Sequence, residues 1–125
     1  MCGRFILQGT WADIYEWFNL IPGTPARNVR ARYNIFPTQH ALFVSQGEGG
    51  RARKEGRWWL VPHWAKEIPT YTHLQCPVRG CRQETAFRDA FKWGRRLIPA
   101  NDYYEWTKAE DGGTDPHLIH LEDNE

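Results

Sequence analysis

A cysteine stands at position 2, directly after the initiator methionine. Because the Cys2 side chain is small, removal of Met1 is expected, and Cys2 then becomes the mature N-terminus. Its α-amine and its thiol, with reference pKa values of about 7.7–8.0 and about 8.5, are then both partly nucleophilic near neutral pH. Such a pair captures an aldehyde first as a Schiff base and then as a five-membered thiazolidine ring. Judged by its position alone, Cys2 is more often an ordinary small apolar residue than a nucleophile.

Five short motifs, the first of which contains Cys2, favour the chemical interpretation. They are residues 1–5 (Met-Cys-Gly-Arg-Phe), 32–39 (Arg-Tyr-Asn-Ile-Phe-Pro-Thr-Gln), 57–64 (Arg-Trp-Trp-Leu-Val-Pro-His-Trp), 86–91 (Ala-Phe-Arg-Asp-Ala-Phe) and 96–106, which ends in Tyr-Tyr-Glu-Trp. In this order they closely resemble the SOS response-associated peptidase (SRAP) family, the abasic-site processing proteins. The resemblance covers the chain except for residues 74–85.

The resemblance implies an α+β fold of mostly antiparallel strands with short helices and a groove for single-stranded DNA. It implies that Cys2 bonds covalently to the ring-opened sugar aldehyde of an abasic site, and that a thiol autopeptidase activity exposes Cys2. The expected partner is single-stranded DNA with abasic sites. No cofactor, no membrane and no obligate protein partner is expected.

Five site residues follow from matching the family motifs position by position. Cys2 is the nucleophile, and Glu105 matches an active-site glutamate whose carboxylate moves protons while the ring forms. Arg4 matches a DNA-contacting arginine, since its fork of donors suits phosphate oxygens. Asn34 shapes the site, and Trp64 stacks beside the gap that a missing base leaves. For Glu105, an ordinary solvent-facing strand residue remains the alternative.

The chain departs from the family pattern in three places. Trp59 replaces a glycine, and it would obstruct any close backbone approach that requires glycine. Residues 74–85 replace a Phe/Ile-Asn-Ala-Arg-x-Glu segment. A distal histidine segment is missing, so the chain resembles the first half of one SRAP domain over residues 1–125. One back-translation of residues 74–85, read one nucleotide later, gives Phe-Asn-Ala-Arg-Cys-Glu, which favours a compensated frameshift.

Two other interpretations remain open. Cys76 and Cys81, with His63 and His73 upstream, supply four potential zinc ligands. The Cys-x4-Cys spacing is loose and no second cysteine pair exists, so no metal is predicted. The second interpretation is a non-catalytic fragment that binds single-stranded DNA.

The composition is that of a single globular domain. The 125 residues suit one domain, and 41% hydrophobic with 25% charged residues is typical of a globular protein. No apolar run approaches a membrane span or a secretory signal, so a cytoplasmic location, at the nucleoid when DNA is bound, is expected.

Residues 1–100 hold 15 Lys/Arg against 7 Asp/Glu, a balance of +8. Excess positive charge favours binding to phosphates.

Residue patterns predict the elements that must position the site. Thr10 is expected to cap a helix that runs to about Leu20, and a second helix is expected over residues 84–93 with Gly94 as its C-cap. An extended segment is expected over residues 32–37, because Pro37 keeps Phe36 out of the helical region. Strands are expected over residues 42–45, 51–61, 96–99, 103–107 and 117–121.

Overall fold

The computed structural model describes residues 3–23, 28–68 and 79–122. Within these ranges the chain forms β1 (Arg4–Leu7), α1 (Trp11–Trp17), β2 (Arg32–Ile35), β3 (His40–Gly47), β4 (Gly50–Arg57), α2 (Thr85–Trp93), β5 (Asp102–Lys108) and β6 (Thr114–Ile119). Four strands form a sheet in the order β2-β1-β5-β6, while β3 and β4 form a hairpin. All of these strand pairs are antiparallel, which confirms the α+β expectation.

β1 lies inside the larger sheet and pairs on both edges. Phe5 stands opposite Ile35 on β2 and opposite Tyr103 on β5. Phe5, Ile6 and Leu7 are all buried, so both faces of this short strand are covered. No strand was expected over residues 4–7, because three consecutive apolar residues show no alternation.

α1 begins as expected and ends early. The Thr10 hydroxyl accepts a hydrogen bond from the Asp13 N–H at 3.2 Å, and the Asp13 carboxylate accepts one from the Thr10 N–H at 2.6 Å, which completes a capping box. Donation from the Thr10 hydroxyl, and then from its backbone N–H, lowers the pKa of Asp13. The helix ends at Trp17, short of the expected Leu20. Asn19 adopts a left-handed φ of 46°, and Leu20 bridges to Arg51 on β4.

The β3–β4 hairpin is regular, but β4 ends before its expected last residue. Its register runs from His40 opposite Arg57 to Gly47 opposite Gly50. β4 was expected to continue to residue 61. Instead the Trp59 N–H donates to the Arg57 carbonyl at 2.8 Å, and this three-residue turn takes the chain out of the ladder.

The apolar core comes from the first part of the chain. Among the described residues, the buried hydrophobic side chains are Phe5, Ile6, Leu7, Ile14, Leu20, Ile35, Ala41, Leu42 and Val44. α2 contributes no buried residue, and all six residues of β6 are exposed. The first half therefore builds the core, and from the described part of the second half Ile98 packs against it.

The second half differs from expectation at two strands. α2 starts within one residue of its predicted position and ends as predicted. The strand expected over residues 96–99 is reduced to one bridge, in which Leu97 and Val44 exchange backbone hydrogen bonds of 2.8 and 3.0 Å. β6 begins at Thr114, before the expected residue 117, and ends at Ile119. Neither described helix has the length and apolarity to cross a bilayer.

Candidate functional site

Arg4 lies between two aromatic rings on one face of the larger sheet. Its guanidinium carbon is 5.5 Å from the centre of the Phe36 ring and 5.6 Å from that of Trp106. Strand register explains this placement: Arg4 pairs with Tyr104, and Trp106 follows two residues later on the same face. Cation–π contacts orient this exposed guanidinium, and its fork of donors has the geometry that suits an oxyanion.

Tyr104 connects the strands on either side of β1. Its hydroxyl donates to the Tyr33 carbonyl on β2 at 3.1 Å, and its ring lies 6.3 Å from that of Trp106. We call Arg4, Tyr33, Phe36, Tyr104 and Trp106 the Arg4 cluster. The contacts across β2, β1 and β5 give the arginine a supported position.

Glu105 lies on β5 beside the start of β1. Strand alternation places this half-buried residue on the opposite face from Tyr104. The β1–β5 register, continued by one position, sets Glu105 level with Gly3. Gly3 directly follows Cys2, which lies outside the described residues. A carboxyl group is therefore held at the end of β1 that leads to the N-terminus.

Trp58 anchors the same end of β1, a role that the sequence did not indicate. Its indole Nε1–H donates to the Gly3 carbonyl at 3.1 Å. Its ring meets Phe5 edge-on, with centroids 5.7 Å apart and an interplanar angle of 89°. Trp58 also packs against the buried core. The start of β1 is thus tied to the core through one side chain.

Replacing Trp58 with phenylalanine tests this anchor. The variant keeps an aromatic ring beside Phe5 but loses the hydrogen bond to Gly3 and some volume. We expect the free energy of unfolding, measured in urea, to fall by about 1–2 kcal/mol. Trp93→Phe is the matched control, because Trp93 is 77% exposed, and its stability should be unchanged. Equal losses in the two variants would contradict the anchor.

Asn34 and Trp64 occupy different surroundings. Asn34 is exposed on β2, and alternation from buried Ile35 places it on the face of the Arg4 cluster. Trp64 lies in the turn after β4, which the Ala65 N–H closes by donating to the Pro62 carbonyl at 2.9 Å. The structure therefore brings Arg4, Asn34 and Glu105 onto three adjacent strands. Trp64, 58% exposed, lies outside these strands, and its stacking role remains a prediction.

Trp59 does not occupy a backbone conformation that requires glycine. Of the described non-glycine residues, Asn19 and Thr38 have a positive φ, and Trp59 does not. The half-buried tryptophan is thus accommodated without backbone strain at this position.

Only part of the alternative zinc site falls within the described residues. His63 Nδ1 lies 3.0 Å from an Asp89 carboxylate oxygen. His73 and Cys76 lie outside the described ranges. Within those ranges no three His, Cys, Asp or Glu residues are grouped to hold a metal ion.

Sequence comparison identifies the family. The family described as SOS response associated peptidase (SRAP) matches residues 1–125, and the chain belongs to this family. The abasic site processing protein YoqW of Bacillus subtilis (strain 168) is 32% identical over 97% of this chain and 54% of its own length. The abasic site processing protein YoaM of the same strain has the same identity and coverage. The chain thus spans about half the length of these curated relatives.

Two solved structures from Bordetella bronchiseptica share the fold. A phage-related protein superposes with a TM-score of 0.71 at 21% identity, over 97% of this chain and 56% of that one. A second protein gives a TM-score of 0.65 at 17% identity, over 94% and 62%. The expected SRAP-like α+β fold is confirmed.

Proposed function

We propose that this chain recognises abasic sites in single-stranded DNA and joins Cys2 covalently to the damaged sugar. The observation that carries the proposal is the β1–β5 register, which, continued by one position, sets Glu105 level with Gly3, the residue that follows Cys2. Membership of the SRAP family and the names of the Bacillus relatives support the choice of lesion.

The proposed reaction forms a thiazolidine ring without oxidation or reduction. The Cys2 α-amine, freed of Met1, adds to the C1′ aldehyde of the ring-opened sugar, and the resulting carbinolamine loses one water molecule to give a protonated imine. The Cys2 thiol then adds through sulfur to the same carbon and releases its proton. The product has one new C–N and one new C–S bond, and one water is the leaving group.

Glu105 is proposed to move protons in both steps. Its carboxyl group donates a proton to the departing hydroxyl of the carbinolamine, and the resulting carboxylate accepts the thiol proton as sulfur attacks. Its position on β5 suits a group at the N-terminal end of β1. The two transfers leave Glu105 in its starting protonation state.

The Arg4 cluster is proposed to hold the DNA backbone beside the lesion. The guanidinium of Arg4 offers paired donors for phosphate oxygens, and the Phe36 and Trp106 rings keep it in place. Asn34 lies on the same face and is proposed to shape the sugar site. Trp64 is proposed to fill the gap in the base stack.

The peptidase activity in the family name is proposed to act on the chain's own N-terminus. Hydrolysis of the Met1–Cys2 peptide bond consumes one water and releases methionine with a free Cys2 amine. The thiazolidine ring requires that amine, so this cleavage precedes the reaction with DNA.

A substrate pair tests the proposed function. The Met1-processed chain is mixed with a labelled single-stranded oligonucleotide that carries one abasic site, and the products are separated on a denaturing gel. We expect a shifted band. No band should form with a tetrahydrofuran analogue, which lacks the aldehyde, or after the aldehyde is blocked with methoxyamine. A band of equal intensity with the analogue, or no band with the abasic site, would contradict the proposal.

A further inference from the structure

A second group of cations lies on α2 and the turn that follows it. One depression is lined by Arg82, Arg88, Phe91, Lys92 and Arg95. A neighbouring depression is lined by Val44, Gln46, Arg51, Arg95, Arg96 and Leu97. Arg95 borders both, and neither lining includes a carboxylate among the described residues. These depressions form one continuous positively charged surface, here called the α2 basic surface.

Two of these cations are neighbours on α2, because Arg88 and Lys92 are four residues apart, the spacing of neighbours on a helix surface. Arg95 lies just beyond the C-cap Gly94 and borders the same depression. Phe91 lies among them, with the Arg82 and Arg95 guanidinium carbons 5.5 and 5.8 Å from its ring centre. The ring therefore holds two guanidinium groups on the surface of the fold.

Among the described residues, few charges of this surface are paired with a carboxylate. Arg96 stacks 5.8 Å from the Phe43 ring and donates to the Arg95 carbonyl at 2.8 Å, and Arg51 donates to the Phe18 carbonyl at 3.2 Å. Rings and carbonyl groups orient a cation but do not cancel its charge. Asp89, 3.4 Å from Arg88 and also paired with His63, offsets one charge. The surface as a whole remains suited to an extended anion.

We propose that the α2 basic surface binds the phosphate backbone of single-stranded nucleic acid. A row of cations over two depressions fits successive phosphates better than a single anion. Trp93 lies at the end of α2, 77% exposed, with the Lys92 ammonium 4.8 Å from its ring centre. An exposed ring beside cations provides a stacking platform for a base. The surface uses α2, β3 and β4, whereas the Arg4 cluster uses β1, β2 and β5.

This inference deepens the proposed function, because the second surface would hold the strand that leads to the lesion. It is nevertheless tested without the covalent step. Binding is measured by fluorescence anisotropy with an undamaged single-stranded oligonucleotide, in a Cys2→Ala background, across a salt series. Failure of the crosslink therefore leaves this measurement unaffected.

Two triple variants with the same change in net charge are compared. Arg88→Gln/Lys92→Gln/Arg95→Gln removes charge from the α2 basic surface. Lys54→Gln/Arg57→Gln/Lys108→Gln removes three exposed charges elsewhere. We expect the first to weaken binding at least about tenfold and to reduce the slope of log K against log salt by about 2, at about 0.7 per phosphate contact. The second should change binding less than about threefold with the slope kept.

Each outcome of this comparison supports or overturns the proposal that the α2 basic surface binds nucleic acid. Equal losses in both triple variants would overturn the proposal, because only net charge would then matter. Unchanged DNA affinity in the first variant, with loss of binding to phosphatidylserine vesicles, would assign the surface to a membrane and also overturn it. A Trp93→Ala variant that loses affinity about fivefold with an unchanged salt slope would support base stacking at the end of α2.

Discussion

Cys2→Ala is expected to abolish the covalent adduct with single-stranded DNA that contains an abasic site. The alanine variant keeps an N-terminal amine after Met1 removal, but it has no thiol to close the ring. Without ring closure the Schiff base remains open to hydrolysis, so no band survives a denaturing gel. Cys81→Ala is the matched control, because it removes a half-buried cysteine on the loop before α2, and its adduct should form at the wild-type rate.

Cys2→Ser separates the two stages of the reaction. Its amine still forms an imine with the aldehyde, and a hydroxyl closes the ring less effectively than a thiol. We expect little adduct on the gel unless sodium borohydride is added to reduce the imine to a stable amine. A stable adduct in Cys2→Ala without reductant, or equal loss in Cys81→Ala, would contradict the assignment of Cys2.

Glu105→Gln is expected to slow adduct formation by about 10²–10⁴-fold, the usual contribution of a positioned general acid or base. Glutamine has nearly the same shape but transfers no proton at neutral pH, so the pairing of β5 with β1 and β6 should be kept. The rate is measured under single-turnover conditions with protein in excess over the abasic oligonucleotide. Glu110→Gln, at the exposed turn between β5 and β6, is the control and should leave the rate unchanged.

Binding of an unreactive analogue distinguishes a proton-transfer role for Glu105 from a structural one. The variant should bind the tetrahydrofuran analogue as well as wild type does, since Glu105 contributes to the reaction rather than to backbone contacts. A loss of affinity that accounts for the whole rate change would contradict this role.

Local patterns in the sequence determined several elements without any tertiary information. α2 follows from its stripe of Ala86, Phe87, Ala90 and Phe91 and from Gly94 at its end, and its observed bounds agree to within one residue. The β3–β4 hairpin follows from a glycine-rich turn between two strands. The candidate residues Cys2, Arg4, Asn34, Trp64 and Glu105 follow from ordered motifs, since such matches do not depend on knowing which strands pair.

Tertiary structure alone decided how these residues are arranged. β1 was missed because its three buried residues Phe5–Leu7 have no alternation, and its place is set by pairing with strands about 30 and 100 residues away. The same pairing sets Arg4 between Phe36 and Trp106 and brings Glu105 level with Gly3. Trp58 became an anchor only because the fold brings its indole to the Gly3 carbonyl, 55 residues away along the chain. Contacts between distant segments form when the free energy gained from buried area and hydrogen bonds, summed over the whole fold, exceeds the cost in chain entropy. A short stretch of sequence does not determine that sum.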